Sequence, residues 1–274
     1  MRSALYVPGD RPEKLAGALT RGADALIADL EDAVAPGAKP TARRTVAAWL
    51  TTLPQDAPEI WIRINPGEAG HEDLRALEPV LPTVAGICVA KTETPADLAT
   101  IDKLLGPAKA ALCPVLESAA AVLGAQEIAR APRVVRLQLG EADLCADIGV
   151  DPGADERELL WPRSQIVLAS AAAGIDPPLG PVSTDFRDLD RLAESTHALR
   201  RLGFQGRACI HPAQLPVVNE VFTPSPDELA RARALVARFE AAGSGVVQDE
   251  SGRMVDEAVI RRARRTLAQG KVTR

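Results

Sequence analysis

The chain is predicted to fold as an α/β protein of the (β/α)8 barrel class. Three observations carry that expectation. Eight short apolar runs recur along the sequence, most are followed by a segment of helical periodicity, and the length of 274 residues matches one barrel. Runs that are apolar on both faces and alternate with helices indicate a parallel sheet. Eight such units favour a closed barrel over an open doubly wound sheet.

In order, the strand-like runs are Ala4 to Val7, Ala25 to Ala28, Ile60 to Ile64, Gly86 to Ala90, Ala111 to Leu116, Val134 to Leu139, Pro178 to Val182 and Arg207 to Ile210. The seventh, rich in proline and glycine, is the weakest. The amphipathic segments are Pro12 to Thr20, Pro40 to Leu53, Pro95 to Leu105, Ala119 to Ala129, Arg163 to Ala173 and Leu189 to Leu202. Pro12, Pro40 and Pro95 each open a segment, the position where a fixed φ and a missing N–H cost a helix nothing. Gly140-Glu141-Ala142-Asp143 and Gly9-Asp10-Arg11-Pro12 read as turns, not nucleotide fingerprints.

About sixty residues follow the eighth run. Pro226 to Ala242 reads as a helix capped by Ser225 or Asp227, and Gly243-Ser244-Gly245 breaks it. Two short extended pieces, Val246 to Gln248 and Gly252 to Val255, precede a last helix from Glu257 to Ala268. The expected organisation is therefore a barrel over 1–224 and an extension over 225–274. That extension is too small to stand as an independent domain, so it packs on the barrel or on a neighbouring subunit.

Composition narrows the function. With 46% hydrophobic and 25% charged residues the chain is globular, and a net charge of -5 leaves no basic footprint for nucleic acid. The run Arg261, Arg262, Arg264, Arg265 follows Asp256 and Glu257 and reads as a solvated helix face. No apolar run reaches the length of a membrane span, and no signal-peptide segment is visible. The four cysteines, Cys88, Cys113, Cys145 and Cys209, form no CxxC pair, and a reduced cytoplasmic protein is expected.

Chemistry-bearing residues collect at the C-terminal ends of the runs, where barrel active sites form. Asp29, Glu31 and Asp32 follow the second run, Arg63 and Asn65 lie on or after the third, and Lys91 follows the fourth. Glu117 follows the fifth, Glu141 and Asp143 the sixth, and His211 the eighth. The N-terminal ends carry no comparable set. Glu117 and Asp143 stand on adjacent strands, and two carboxylates with open positions beside them suit Mg²⁺. The alternative for each is a helix cap. Arg63 is placed for bidentate capture of a substrate carboxylate or for an ion pair with Asp29 or Glu31. Lys91 is an ion-pair partner of these acids or a Schiff-base lysine. His211 is a turn residue or a base, and His71 and His197 fall on helical surface stretches.

These residues sit in stretches that resemble the citrate lyase beta subunit and its stand-alone relatives, within the HpcH/HpaI aldolase group. The likeness covers nearly the whole chain. It is carried by Leu5-Tyr6-Val7-Pro8-Gly9-Asp10-Arg11-Pro12-Glu13, Asp29-Leu30-Glu31-Asp32-Ala33-Val34, Ile62-Arg63-Ile64-Asn65 and Glu117-Ser118-Ala119. Gly140-Glu141-Ala142-Asp143-Leu144, Cys209-Ile210-His211-Pro212 and Met254-Val255-Asp256 complete it. Two departures touch the site: Val89-Ala90-Lys91 replaces the usual Leu-Pro-Lys, and Glu117-Ser118 the common Glu-Thr.

The resemblance implies a barrel, usually trimeric, that binds Mg²⁺ through Glu117 and Asp143 and acts on CoA or acyl-carrier thioesters. It places Arg63 on the substrate carboxylate, and Asp256 resembles the aspartate that, in relatives with malate-synthase-like activity, enters a neighbouring subunit's site. The implied reaction cleaves a 3-hydroxy-acyl thioester such as citryl-CoA to acetyl-CoA and a 2-keto acid such as oxaloacetate. Asp29, Glu31, Asp32 and Asp256 are the candidate bases, and Lys91 lies beside the substrate. Malyl-CoA or citramalyl-CoA cleavage, or malate-synthase-like condensation with thioester hydrolysis, are alternatives. A thioester-binding subunit inside a complex with citrate lyase alpha and acyl-carrier subunits is the non-enzymatic one.

Overall fold

The computed structural model describes residues 1–243, 245–248 and 252–272. The chain separates into two compact units, Met1–Asn219 and Glu220–Arg274.

The first unit is a closed barrel of eight parallel strands in sequential order. They are β1 (Ser3–Pro8), β2 (Ala25–Asp29), β3 (Glu59–Ile64), β4 (Gly86–Val89), β5 (Ala111–Leu116), β6 (Gln138–Leu139), β7 (Leu179–Gly180) and β8 (Gly206–Cys209). The barrel class and all eight strand positions expected from the sequence are present. The register pairs Asp29 with Pro8 on one side and with Arg63 on the other. One acid and one base of the site are thereby set side by side before any side chain is considered.

Alternation sorts each strand. Ala4, Ala25, Ile27, Trp61, Cys88, Cys113, Val115, Leu179 and Ala208 form one buried cluster, the barrel interior. Small residues on β1, β2 and β8 face the large Trp61. Gly86 makes room for that indole, because a Cβ there would stand 2.3 Å from Trp61 Cζ3. Two residues beyond each interior position lies the mouth: Tyr6 beyond Ala4, Asp29 beyond Ile27, Arg63 beyond Trp61, Glu117 beyond Val115.

The sixth run is shorter as a strand than its apolar pattern predicts. Only Gln138 and Leu139 join the ladder with β5, and Val134 makes a single bridge to Leu112. Pro114 is the reason. Leu112 turns both its N–H and its carbonyl toward this neighbour. Pro114, two residues on, faces the same side without an N–H to give. The Val135 carbonyl accepts from Asp176 N instead, at 2.9 Å.

Two helical expectations are corrected. Gly140–Asp143 is not a free turn: Glu141–Ile148 is a helix that begins directly after Gly140. Ala119 to Ala129 is two short helices, Ala119–Leu123 and Ala125–Ala129, broken at Gly124. A further helix, Gly67–Leu77, follows β3, its apolar period obscured by two glycines in the first turn. The helices Pro95–Leu105 and Leu189–Leu202 match the sequence reading at both ends.

In the second unit, Pro226–Ala242 is a helix with a reciprocal Ser225–Glu228 capping box, and it ends at Gly243 with φ 62°. Val247–Gln248 pairs antiparallel with Met254–Val255. The last helix, Glu257–Val272, is held against the first by Arg264 Nη2–Glu240 Oε1 at 3.4 Å. Ser244 and residues 249–251, where the sequence reading expects a turn, lie outside the described residues. Among the described residues no helix is long and apolar enough to cross a membrane.

Candidate active site

The floor of the mouth is a guanidinium clamped by a buried carboxylate. Arg63 donates from Nε to Asp29 Oδ1 at 2.7 Å and from Nη2 to Asp29 Oδ2 at 2.6 Å. Asp29 also accepts from Glu31 N (2.9 Å) and Ala33 N (3.1 Å). Each of its oxygens thus carries two donors, although the residue is fully buried. The Arg63 guanidinium lies over the Tyr6 ring at 4.8 Å, and the Tyr6 hydroxyl donates to Gln138 Oε1 at 3.1 Å. Burial opposes the Arg63 charge, yet the Asp29 bonds prevail and hold its pKa above the usual guanidinium value. The third nitrogen, Nη1, reaches Glu31 Oε2 at 3.1 Å.

Above this floor four further acids meet one lysine. Lys91 Nζ lies 3.0 Å from Glu31 Oε1, 3.9 Å from Asp32 Oδ1 and 4.0 Å from Asp143 Oδ2. Its backbone N–H donates to Glu117 Oε2 at 3.1 Å. Burial, with Glu31 and Asp143 nearby, pushes the Glu117 carboxyl up to about 7. Burial likewise raises Glu31, although Arg63 and Lys91 oppose it. The hydrogen bond that Lys91 donates to Glu31 raises the ammonium's pKa.

The capping alternative for the two principal acids finds no support in the hydrogen bonds. Ser118, not Glu117, caps the helix after β5, accepting from Ala121 N at 3.2 Å. Asp143 lies in the first turn of Glu141–Ile148, which begins without a side-chain cap. The two segments are tied together by Ala119 N donating to Asp147 Oδ2 at 2.8 Å. Gly140 is required by packing: a Cβ there would stand 2.4 Å from Glu117 Cγ.

The remaining candidates make contacts of their own. Glu141 is held by Arg163 from Nε (2.5 Å) and Nη2 (2.7 Å). His211 caps the turn at Pro212–Gln214, its Nδ1 accepting from Ala213 N at 3.2 Å, and its ring stacks on Phe186 at 4.5 Å. His71 pairs with Glu68, and His197 lies on Leu189–Leu202. Asp256, in the second unit, caps the last helix by accepting from Ala258 N and Val259 N.

Sequence reasoning overlooked the support beneath the mouth. Lys39 Nζ donates to Leu30 O (2.9 Å), Glu31 O (3.1 Å) and Asn65 Oδ1 (2.5 Å). Buried Asp73 accepts from Asn65 N and Nδ2 at 2.8 and 2.7 Å. Lys39 and Asp73 sit in helical segments with no local cue. Tyr6 could have been found, since alternation from Ala4 places it at the mouth.

Among the described residues no three His, Cys, Asp or Glu side chains already converge as a metal-ligand set. The geometry instead offers two carboxylates, Glu117 and Asp143, near a shared centre of negative charge. Their donor chemistry fits a hard divalent cation, because Mg²⁺ takes one or two carboxylates and fills its other positions with water and substrate oxygens.

Fold and site together define a (β/α)8-barrel enzyme whose mouth joins an anion-binding guanidinium to a group of acids. The chain belongs to the HpcH/HpaI aldolase/citrate lyase family, whose model matches residues 2–212. It is 32% identical to the citrate lyase subunit beta of Leuconostoc mesenteroides subsp. cremoris over 97% of this chain and 92% of that protein. It is 35% identical to a (3S)-malyl-CoA thioesterase of Cereibacter sphaeroides (strain KD131), covering 98% and 94%. A structure of CitE from Mycobacterium tuberculosis with magnesium, acetoacetate and coenzyme A superposes with a TM-score of 0.81 at 31% identity, covering 99% of this chain and all of that one. The M. tuberculosis citrate lyase beta subunit with oxaloacetate and magnesium gives 0.71 at 32% identity, over 81% of this chain and 97% of that one.

Proposed function

We propose that this protein is a Mg²⁺-dependent carbon–carbon lyase that cleaves a 3-hydroxy-acyl thioester of the citryl-CoA type to acetyl-CoA and a 2-keto acid such as oxaloacetate. The observation that carries this reading is the guanidinium floor lying directly beneath the acids around Lys91. Glu117 and Asp143 would hold the cation, which would supply Lewis-acid stabilisation of the substrate oxygen.

Arg63 orients the keto-acid half. Asp29 fixes two of its nitrogens, so the guanidinium plane is set before substrate arrives. Nη1 is the arm free to exchange Glu31 for a substrate carboxylate. Asp29 acts as the anchor of this clamp, since both its oxygens are engaged by Arg63 and the loop backbone. Glu31 takes the hydroxyl proton. Its pKa is raised from the ordinary carboxyl value, which suits proton transfer nearer neutrality. Loss of that proton drives cleavage of the C–C bond, leaving the acetyl thioester as its enolate.

The similarity to a (3S)-malyl-CoA thioesterase favours one further reading, malyl- or citramalyl-CoA as substrate with thioester hydrolysis, in which Asp256 is the added acid. A turnover assay with citryl-, malyl- and citramalyl-CoA, in Mg²⁺ and in EDTA, separates the two. Metal-dependent acetyl-CoA and keto acid are expected. Free CoA appearing with malate from acetyl-CoA and glyoxylate supports the hydrolytic reading. Silence on every thioester of free CoA, from folded protein, refutes an autonomous lyase and favours a subunit that uses an acyl-carrier partner.

A further inference from the structure

Lys91 leaves β4 in the left-handed backbone region, with φ 51°, a conformation that a residue with a side chain adopts at a cost. The conformation serves two contacts in different directions. The N–H is held on Glu117 Oε2, while the ammonium is sent toward Glu31, Asp32 and Asp143. One residue therefore touches acids contributed by the segments after β2, β5 and β6. Arg63 spends its charge on Asp29 and Glu31. Among the described residues Lys91 is the one cationic side chain within 4.0 Å of Asp32 or Asp143.

We propose that Lys91 is a tethered counter-ion that competes with the divalent cation for the acids of the mouth, and so sets how tightly the substrate-free protein holds metal. The proposal rests on the reading of Glu117 and Asp143 as the metal carboxylates. Without a cation, those acids repel one another and the ammonium offsets that repulsion. A doubly charged ion beside Glu117 and Asp143 is repelled by the ammonium in turn. The lysine stem is long and flexible, and the side chain is 43% exposed. It can withdraw from Asp143 and keep its bond to Glu31. The bare cation is consequently held loosely, and a substrate carboxylate strengthens the site by adding negative charge.

The test is calorimetric titration of Mg²⁺ into the metal-free full-length chain at pH 8, with melting temperatures measured in EDTA and at saturating Mg²⁺. Lys91→Met is expected to tighten Mg²⁺ binding about tenfold, the effect of one unit charge near a divalent ion. Lys91→Arg stays within about twofold of the parent, since it restores the charge. Metal-free Lys91→Met melts below the parent yet gains more from Mg²⁺, whereas loss of a merely structural lysine would lower both stability and affinity. Unchanged or weaker Mg²⁺ binding by folded Lys91→Met overturns the proposal. Lys91→Gly, which removes the ammonium and relaxes the backbone, carries the same expectation if the methionine variant does not fold. Glu117→Ala distinguishes the two layers: if it leaves affinity unchanged, the metal assignment itself is overturned.

Discussion

Replacing Glu117 with glutamine removes a carboxylate that the fold makes expensive to ionise. The residue is 8% exposed, and its carboxyl is pushed from the ordinary 4.5 up to about 7, chiefly by burial and then by Glu31 and Asp143. Below about pH 4.5 the group is protonated in folded and unfolded chains alike and has no differential effect. Between there and pH 7 the unfolded chain releases a proton that the folded chain keeps, so stability falls as pH rises. Above pH 7 the full penalty applies, about 3 kcal/mol from that interval and about 2 kcal/mol once the site relaxes. Glutamine keeps an oxygen to accept the Lys91 N–H and carries no charge. Metal-free Glu117→Gln is therefore expected to be more stable than the parent by about 2 kcal/mol at pH 8.5 and equal to it at pH 4.5. Urea denaturation followed by tryptophan fluorescence, which includes the interior Trp61, measures both differences. Added Mg²⁺ should stabilise the parent and leave the variant unmoved. A pH-independent difference, or a variant less stable at pH 8.5, refutes the assignment of Glu117 as a strained, charge-poor carboxylate awaiting a cation.

Arg63→Met leaves Asp29 buried without its guanidinium, and should cost about 3–5 kcal/mol in denaturant melts and abolish turnover. Arg63→Lys keeps the charge but loses the planar fork, so it should fold and show its main defect as a raised KM. Gly140→Ala drives a methyl into Glu117 Cγ. It should weaken Mg²⁺ binding in calorimetry while costing about 1–3 kcal/mol of stability, and a parental Kd would count against the carboxylate's role. Asp73→Ala removes the acceptor for Asn65 and Arg43. It should destabilise the barrel by about 3 kcal/mol in the same melts, since buried Asn65 loses the acceptor of both its backbone and side-chain N–H groups.

The sequence alone determined the barrel, because eight apolar runs with intervening helical periodicity have one economical closed arrangement. It also located the mouth, because polar residues that close apolar runs fall at the strand ends whatever the details of packing. Arg63, Lys91, Glu117 and Asp143 were legible for that reason. The tertiary structure decided which of them meet. Asp29 stood beside Glu31 and Asp32 as an equal candidate base, and only the Asp29–Arg63 register shows it spent on the clamp. Lys39 and Asp73 were invisible, since their partners lie on other strands and no local spacing encodes them. Pro114 shortened β6 through the direction of a missing N–H, and that direction exists only once strands are paired. Local patterns follow from covalent periodicity and burial, whereas charges are apportioned by distances between residues far apart in the chain.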